Sequence, residues 1–185
     1  MNIVLASNLQ EDSIVDGEGI RTVIWTQGCS HNCPHCHNPN THDFNAGTKF
    51  LVEDINQKLD ELEFQDGVTF SGGDPMFQAK ACALIAKHAK EIGLNVWCYT
   101  GFTFEELLEL ANKNSSILDF LENIDVLIDG KFIYELKSFD LKYRGSKNQR
   151  IIDVQKSLKE KKAYIIEKYM QSSKKRQEKK EHLFI

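Results

Sequence analysis

The feature that most constrains the fold is an alternation of short apolar runs with longer segments of helical periodicity. The runs of strand length lie around 23–25, and at 67–70, 94–99, 125–128 and 150–154. Residues at helical spacing fill two of the intervals: Leu51, Ile55, Leu59 and Leu62, then Phe77, Ala81, Leu84, Ile85, His88 and Ile92. The segment FTFEELLELANK supplies a third helix, with Thr103 as its N-cap. Strands that alternate with helices predict βαβ units and a parallel sheet.

The number of strands narrows the fold class. About five to six mostly parallel strands are too few for the closed barrel of eight strands. The choice lies between an open doubly wound sheet and a partial (β/α) barrel. The partial barrel is the predicted fold.

Unusual polar motifs directly follow four of the predicted strands. They are QGCSHNC, SGGDP, YTG and DGK, in chain order. The C-terminal ends of parallel strands form one face of an α/β fold, and active sites are built there. We therefore expect the four motifs to meet around one pocket. The NQR sequence differs, because it stands at the start of its strand.

The first motif belongs to a loop that is rich in cysteine, TQGCSHNCPHCHNP at 26–39. Cys29, Cys33 and Cys36 lie within eight residues and no fourth cysteine is near. Three thiolates at this spacing can hold three corners of an iron–sulfur cube and leave one iron to an external ligand. The alternative is a structural zinc of the Cys3His type, with His31, His35 or His37 as the fourth ligand.

The second motif, Ser71 to Pro75, places two glycines at a strand end. Glycine permits a positive φ and lets a ligand approach the backbone closely, and Pro75 can start the next helix. A tight turn without a ligand is the other interpretation.

Composition indicates the compartment and excludes some partners. Five cysteines, three of them in one loop, do not form the spacing of a disulfide framework. The N-terminal sequence has no signal-peptide pattern, so we expect a cytoplasmic protein. Residues 1–155 hold 13 Lys and Arg against 23 Asp and Glu, which disfavours nucleic acid. No apolar run approaches the ~20 residues of a membrane span.

Five sequence motifs together resemble one known family. CxxxCxxC followed by GGDP is similar to the radical S-adenosylmethionine (SAM) superfamily. With WCYTGFTFEEL, DVLIDGKFI and RGSKNQRIIDV, residues 10–158 resemble the activating proteins of anaerobic (class III) ribonucleoside-triphosphate reductases. The resemblance implies a radical SAM partial barrel, a 4Fe-4S cluster and reductive cleavage of SAM. It also implies that the resulting radical takes a hydrogen atom from a glycine of the large reductase subunit.

The resemblance also assigns residues. Cys29, Cys33 and Cys36 would ligate the cluster, and the methionine end of SAM would chelate the open iron. The implied SAM-binding residues are His35, Cys36, His37, Gly72, Gly73, Asp74, Thr100, Asp129, Lys131 and Arg144. Asn148 and Arg150 would belong to the SAM site or to the partner surface. We expect Gly73→Val to weaken SAM binding while leaving the cluster in place.

Partners and alternatives follow from the same resemblance. The reductase large subunit and a reductant protein such as flavodoxin or ferredoxin are the expected partners. An activase of another glycyl-radical enzyme, or an enzyme similar to 7-carboxy-7-deazaguanine synthase, is the alternative. GGDP, YTG and RGSKNQR favour the reductase activase.

The remaining cysteines and the C-terminal segment carry no predicted chemistry. Cys82 and Cys98 are interpreted as small buried residues. Residues 1–158 are predicted to form the activase domain. Residues 159–185 are predicted to be a Lys-rich extension, helical to about Met170 and charged beyond it.

Overall fold

The computed structural model describes residues 1–170 of the chain. The strands are β1 (Asn2–Leu5), β2 (Gln10–Ser13), β3 (Arg21–Thr26), β4 (Thr48–Leu51), β5 (Gly67–Gly72), β6 (Asn95–Tyr99), β7 (Val126–Asp129) and β8 (Arg150–Asp153). The α-helices are α1 (Val52–Asp60), α2 (Ala79–Glu91), α3 (Phe104–Ala111), α4 (Ser115–Leu121), α5 (Val154–Glu160) and α6 (Glu167–Met170). None of these helices has the length and apolar character needed to cross a membrane.

All eight strands of the described part belong to one sheet, in the order β4-β1-β3-β5-β6-β7-β8, with β2 paired to β3. The central strands β3, β5, β6 and β7 run parallel. The other pairings are antiparallel. The chain therefore has a mixed α/β fold with a parallel centre, as predicted at that level.

The sequence pattern found five strands, and each of them is present. It missed β1, β2 and β4, so the predicted number of five to six strands is lower than the eight described. These three strands have four residues each, and β2 and β4 are largely exposed. β2 and β4 are edge strands that are held by backbone pairing and need no buried apolar face, so periodicity does not reveal them. β1 lies between β4 and β3 and buries Ile3 and Leu5, but its alternation spans only four residues.

Alternate residues of the sheet pack into two different clusters. Val96, Cys98 and Leu127 belong to the main core, which α1 to α4 complete. Trp97 and Ile128, their neighbours in sequence, pack instead with Tyr169 of α6. The period of two along a strand therefore buries both faces of the sheet in this region.

Three predicted helices are confirmed as α1, α2 and α3. The Thr103 hydroxyl accepts a hydrogen bond from the Glu106 backbone N–H at 3.3 Å. The Glu106 carboxylate accepts one from the Thr103 N–H at 2.7 Å. This capping box fixes the start of α3 directly after the third polar motif. Helix α4 was not predicted.

The segment after β8 is not one continuous helix to Met170, so that expectation is wrong. Helix α5 ends at Glu160, and the next residue, Lys161, has a left-handed backbone with φ of 53°. Ile165 then forms a β-bridge with Ile152, and Tyr169 is buried beside Trp97. The division at residue 158 stays a prediction. The Lys-rich end at 171–185 lies outside the described residues.

Candidate cluster and cofactor site

Residues from all four polar motifs line one cleft of about 140 Å³, here called the cysteine cleft. It lies at the C-terminal ends of the parallel strands, and the predicted meeting of the motifs is confirmed. Its lining is Cys29, His31, Cys33, Cys36, His37, Asn38, His42, Ser71, Gly72, Gly73, Asp74, Tyr99, Thr100, Gly101, Gly130, Phe132 and Gln149.

Backbone hydrogen bonds join the cysteine loop to the glycine turn. Thr26 at the end of β3 is paired with Gly72 at the end of β5. The Gly73 N–H donates to the Thr26 carbonyl at 2.7 Å, and the Asp74 N–H donates to the Gly28 carbonyl at 2.9 Å. Parallel pairing thus continues beyond the strands and fixes the residue just before Cys29.

The two glycines of this turn are required by the fold itself. Gly72 has φ of +100°, a conformation that residues with a side chain rarely adopt. A Cβ on Gly73 would lie 2.4 Å from the Gly28 carbonyl oxygen. The close approach that the glycine pattern predicts is therefore made by the cysteine loop of the same chain. On this geometry, replacement of Gly73 disturbs the loop as well as any ligand.

Asp74 holds three separate segments together: its own turn, the YTG segment and the cysteine loop. Its side chain is 1% exposed, and its carboxylate accepts hydrogen bonds from the Met76 and Gly101 N–H groups at 3.0 and 2.9 Å. The Thr100 hydroxyl donates to both carboxylate oxygens, and Nε2 of His31 lies 2.7 Å from Oδ2. The acceptor positions of this carboxylate are therefore taken by donors of the protein itself. Asp74 therefore orients the loops around the cleft.

Removal of the Thr100 hydroxyl tests this network. We expect Thr100→Val to lower the free energy of unfolding by about 2 kcal/mol, because a buried hydrogen bond to a charged group is lost. Chemical denaturation measures the change. Thr48→Val, at an exposed position of β4, is the matched control and should change stability by less than about 0.5 kcal/mol. Equal effects of the two substitutions would contradict the assigned role of Thr100.

The three clustered cysteines fit an iron–sulfur cluster by their donor chemistry. All are free thiols at partly exposed positions of the cleft. The Asn38 backbone N–H donates a hydrogen bond to the Cys36 sulfur at 3.4 Å. Such hydrogen bonds stabilise thiolate ligands and tune cluster potentials.

Burial works against ionisation of these thiols in the absence of iron. It raises the pKa of Cys29 to about 11 and also raises the pKa of Cys33. Among residues 1–170, no three His, Cys, Asp or Glu side chains already stand together as a metal centre.

The histidines of the cysteine loop have different environments. His31 is committed to Asp74, and its ring lies 4.5 Å from that of Phe102. His35 packs on Tyr134 at 4.2 Å and does not line the cysteine cleft. His37 lines the cleft, and burial lowers its pKa. Of the three candidates for a zinc ligand, His37 alone combines a place in the cleft with no ion pair.

Asp129 is buried below the cleft and does not line it. Its carboxylate accepts hydrogen bonds from the Phe104 N–H at 2.8 Å and from Arg150 at 3.0 and 2.5 Å. Arg150 also pairs with Glu105 at 2.6 Å. These two carboxylates raise the pKa of Arg150 further above its ordinary value. The group joins β7, β8 and the start of α3.

Loss of Arg150 should destabilise the protein, because the buried Asp129 carboxylate would lose its ion-pair partner. We expect Arg150→Leu to lower the free energy of unfolding by about 2 kcal/mol, less than for a fully buried pair because Arg150 is partly exposed. Thermal and denaturant unfolding measure it. The double variant with Asp129→Asn should recover part of the loss. A double variant no more stable than Arg150→Leu would contradict this account.

The remaining predicted residues lie at the edge of the site. Arg144 donates to the carbonyls of Lys147, Gln149 and Met170 and lines an adjoining cleft of about 380 Å³. Lys131 is exposed and lines neither cleft. The Asn148 amide donates to the Lys131 carbonyl.

Sequence reasoning missed several residues that line both clefts. The two clefts share His37, Asn38, Ser71, Tyr99, Phe132 and Gln149. Gln149 donates to the Gly130 carbonyl and accepts from the N–H groups of Gly145 and Ser146. Tyr99 and Gln149 stand inside the quoted motifs YTG and NQR. Side chains alternate along a strand, so Tyr99 lies on the same face of β6 as Trp97. This alternation was the sequence signal that could have identified Tyr99.

A larger cavity of about 770 Å³ lies at the opposite end of the parallel strands. It is lined in part by Arg21, whose guanidinium is 1% exposed. Burial lowers the pKa of Arg21 to about 10. Its five N–H bonds are used by Thr69, Glu18, Val68 and Asn95, so none remains for an anion. The cysteine cleft, which holds three free thiols, is therefore the candidate functional site, although the cavity beside Arg21 is larger.

Comparison with known proteins places this site in context. Residues 15–152 match the family described as a 4Fe-4S single cluster domain. The anaerobic ribonucleoside-triphosphate reductase-activating protein of Salmonella typhimurium is 34% identical over 144 residues, covering 74% of this chain and 90% of that protein. The protein of the same name from Escherichia coli K12 is 35% identical with the same coverage. The crystal structure of QueE from Escherichia coli is 14% identical, with a TM-score of 0.47 over 56% of this chain and 54% of that chain.

Proposed function

Because this chain belongs to the family of anaerobic ribonucleoside-triphosphate reductase-activating proteins, we propose that it generates a glycyl radical on the anaerobic reductase. It is a radical SAM activating enzyme with a 4Fe-4S cluster and SAM as cofactors. The observation that carries the proposal is the assembly of three free thiols, the glycine turn and the YTG segment around one cleft.

In this proposal Cys29, Cys33 and Cys36 would hold the cluster. Cleavage of the SAM C5′–S bond takes one electron, which a reduced 4Fe-4S cluster supplies when bound, and gives methionine and a radical that removes a hydrogen atom from a glycine Cα. The rest of the work is positional, since no general base is needed. The backbone and side chains of the two clefts do this positioning.

The assigned SAM contacts divide into three groups by their surroundings. Gly72, Gly73, His37 and Thr100 line the cysteine cleft, and Tyr99 and Gln149 extend it into the adjoining cleft. We assign SAM to this shared space. Asp74 and Asp129 act through the loops that they hold, because their carboxylates are already engaged by protein donors. His35, Lys131 and Arg144 are assigned to the edge of this space.

The proposal also covers the fold, the electron donor and the cellular compartment. The sheet is a partial (β/α) barrel of the radical SAM type, which its parallel centre and open strand order support. The electron comes from a reductant protein such as flavodoxin or ferredoxin. The enzyme works in the cytoplasm, where its five free thiols stay reduced.

One experiment tests the function directly. The protein is reconstituted anaerobically with iron and sulfide and mixed with the anaerobic reductase, SAM and dithionite. A glycyl-radical doublet in the EPR spectrum, dependent on SAM and on the cluster, is the expected result. No radical from a fully loaded protein that cleaves SAM would overturn the reductase as target.

A further inference from the structure

We propose that the reductase docks on residues 131–147, here called the basic loop, with Phe139 as its apolar anchor. The inference rests on the proposed function, and it names the surface and the chemistry of the partner. The partner segment is a polypeptide that carries an apolar side chain flanked by acidic residues.

The basic loop exposes four large apolar side chains. Phe139 is 93% exposed, the highest value among the exposed large apolar residues of the described chain. Ile133, Tyr134 and Leu136 are also exposed. Several large apolar side chains exposed on one loop indicate an interaction site. Aromatic side chains of this kind supply much of the binding energy of interfaces.

Charge sets the basic loop apart from the surrounding protein. It holds five Lys and Arg against two acidic residues, a formal charge of +3. The rest of residues 1–155 holds 8 Lys and Arg against 21 Asp and Glu. Lys137 Nζ lies 4.9 Å from the centre of the Phe139 ring, so cation and anchor are adjacent. This combination is complementary to acidic and apolar groups of a partner.

The basic loop stands over the site where the radical is formed. Phe132 packs on His37 at 4.6 Å, and Tyr134 packs on His35 at 4.2 Å. Leu141 and Tyr143 line the adjoining cleft. A polypeptide bound to this loop is therefore held beside both clefts, where its glycine can reach them.

The base of the basic loop is fixed by hydrogen bonds. The Lys147 N–H donates to the Leu136 carbonyl at 2.9 Å, and the Ile133 N–H donates to the Ser146 hydroxyl at 3.2 Å. Lys137 and Ser146 form a β-bridge. An ordered base presents Phe139 in one place and lowers the entropy cost of binding.

Substitution of the anchor tests the proposal on the intact holoenzyme. Phe139→Ser is compared with Phe64→Ser, which alters a 78% exposed phenylalanine between α1 and β5, at the opposite end of the parallel strands. Dithionite is the reductant, so no donor protein is present. We expect Phe139→Ser to raise the KM for the reductase at least tenfold. SAM cleavage without reductase should stay unchanged, and Phe64→Ser should behave as the wild type.

A charge variant gives an independent measure. Lys137→Glu combined with Lys142→Glu should raise the same KM at low salt, and the difference from the wild type should shrink at high salt because exposed charges are screened. A salt-independent difference would contradict the acidic character assigned to the partner.

The outcomes separate this proposal from the proposed function. If the wild type makes no glycyl radical, the proposed function fails. If it does and Phe139→Ser keeps the wild-type KM, the docking site is wrong. A defect seen only when flavodoxin or ferredoxin replaces dithionite would overturn the assignment in favour of the electron donor. A wild-type dimer in sedimentation that Phe139→Ser dissociates would overturn it in favour of a second copy of the chain.

Discussion

Replacement of Cys33 by alanine is expected to abolish cluster binding and, with it, all cleavage of SAM. Cys33 is the middle ligand of three, and the loop offers no fourth cysteine to replace it. A cube held by two thiolates leaves two irons open to solvent and is readily lost. Iron and sulfide per chain, together with visible absorption after anaerobic reconstitution, measure the loss.

Cys82→Ala is the matched control for this substitution. Cys82 is fully buried in the main core, and burial raises the pKa of its thiol far above the ordinary value. We expect full iron content in this variant and a small loss of stability from the shortened side chain. Wild-type iron in Cys33→Ala, or complete loss of iron in Cys82→Ala, would refute the ligand assignment.

The second large effect is expected at Gly73, where even one methyl group has no room. In Gly73→Ala the new Cβ meets the Gly28 carbonyl oxygen at 2.4 Å and its carbon at 2.8 Å. Both atoms are backbone, so the cysteine loop must move away from the glycine turn. We expect the free energy of unfolding to fall by about 3 kcal/mol, at the upper end of overpacking costs. Iron content should fall with it.

This outcome differs from a pure defect of SAM binding, which the sequence alone favours. The control is Gly93→Ala, because a Cβ on Gly93 meets nothing within 4 Å although φ is +86°. That variant should lose only the ~1–2 kcal/mol of a strained left-handed residue and keep its iron. A stable, fully loaded Gly73→Ala protein with weak SAM binding would restore the first interpretation.

The helices and main strands were readable from the sequence because their signals are local. Apolar runs in the sequence located five strands, which are β3, β5, β6, β7 and β8. Thr103 marked the start of α3. The strands β2 and β4 escaped because they are polar and exposed. The turn at Lys161 escaped because no glycine or proline marks it.

The sequence by itself determined the chemistry of the site. Polar motifs placed directly after parallel strands sufficed to predict one shared pocket. Three thiols in one loop predicted a metal centre, either an iron–sulfur cluster or a Cys3His zinc, and the resemblance to radical SAM activating proteins favoured the cluster. The spacing of ligands within a loop, and the edge at which a parallel strand ends, are both fixed by the chain locally. Neither depends on knowing which side chains meet.

Only the tertiary structure decided what the polar residues around the site do. Asp74 and Asp129 were predicted to contact the cofactor, yet most of their donors are protein groups that lie 21 to 43 residues away in the chain. The antiparallel direction of β8 pairs Arg150 with Asp129, so the start of that strand reaches the same edge as the ends of the others. Strand order and direction bring such groups together, and a buried carboxylate takes whichever donors that packing supplies. Local sequence carries no record of that choice, because the donors become neighbours only when the sheet forms.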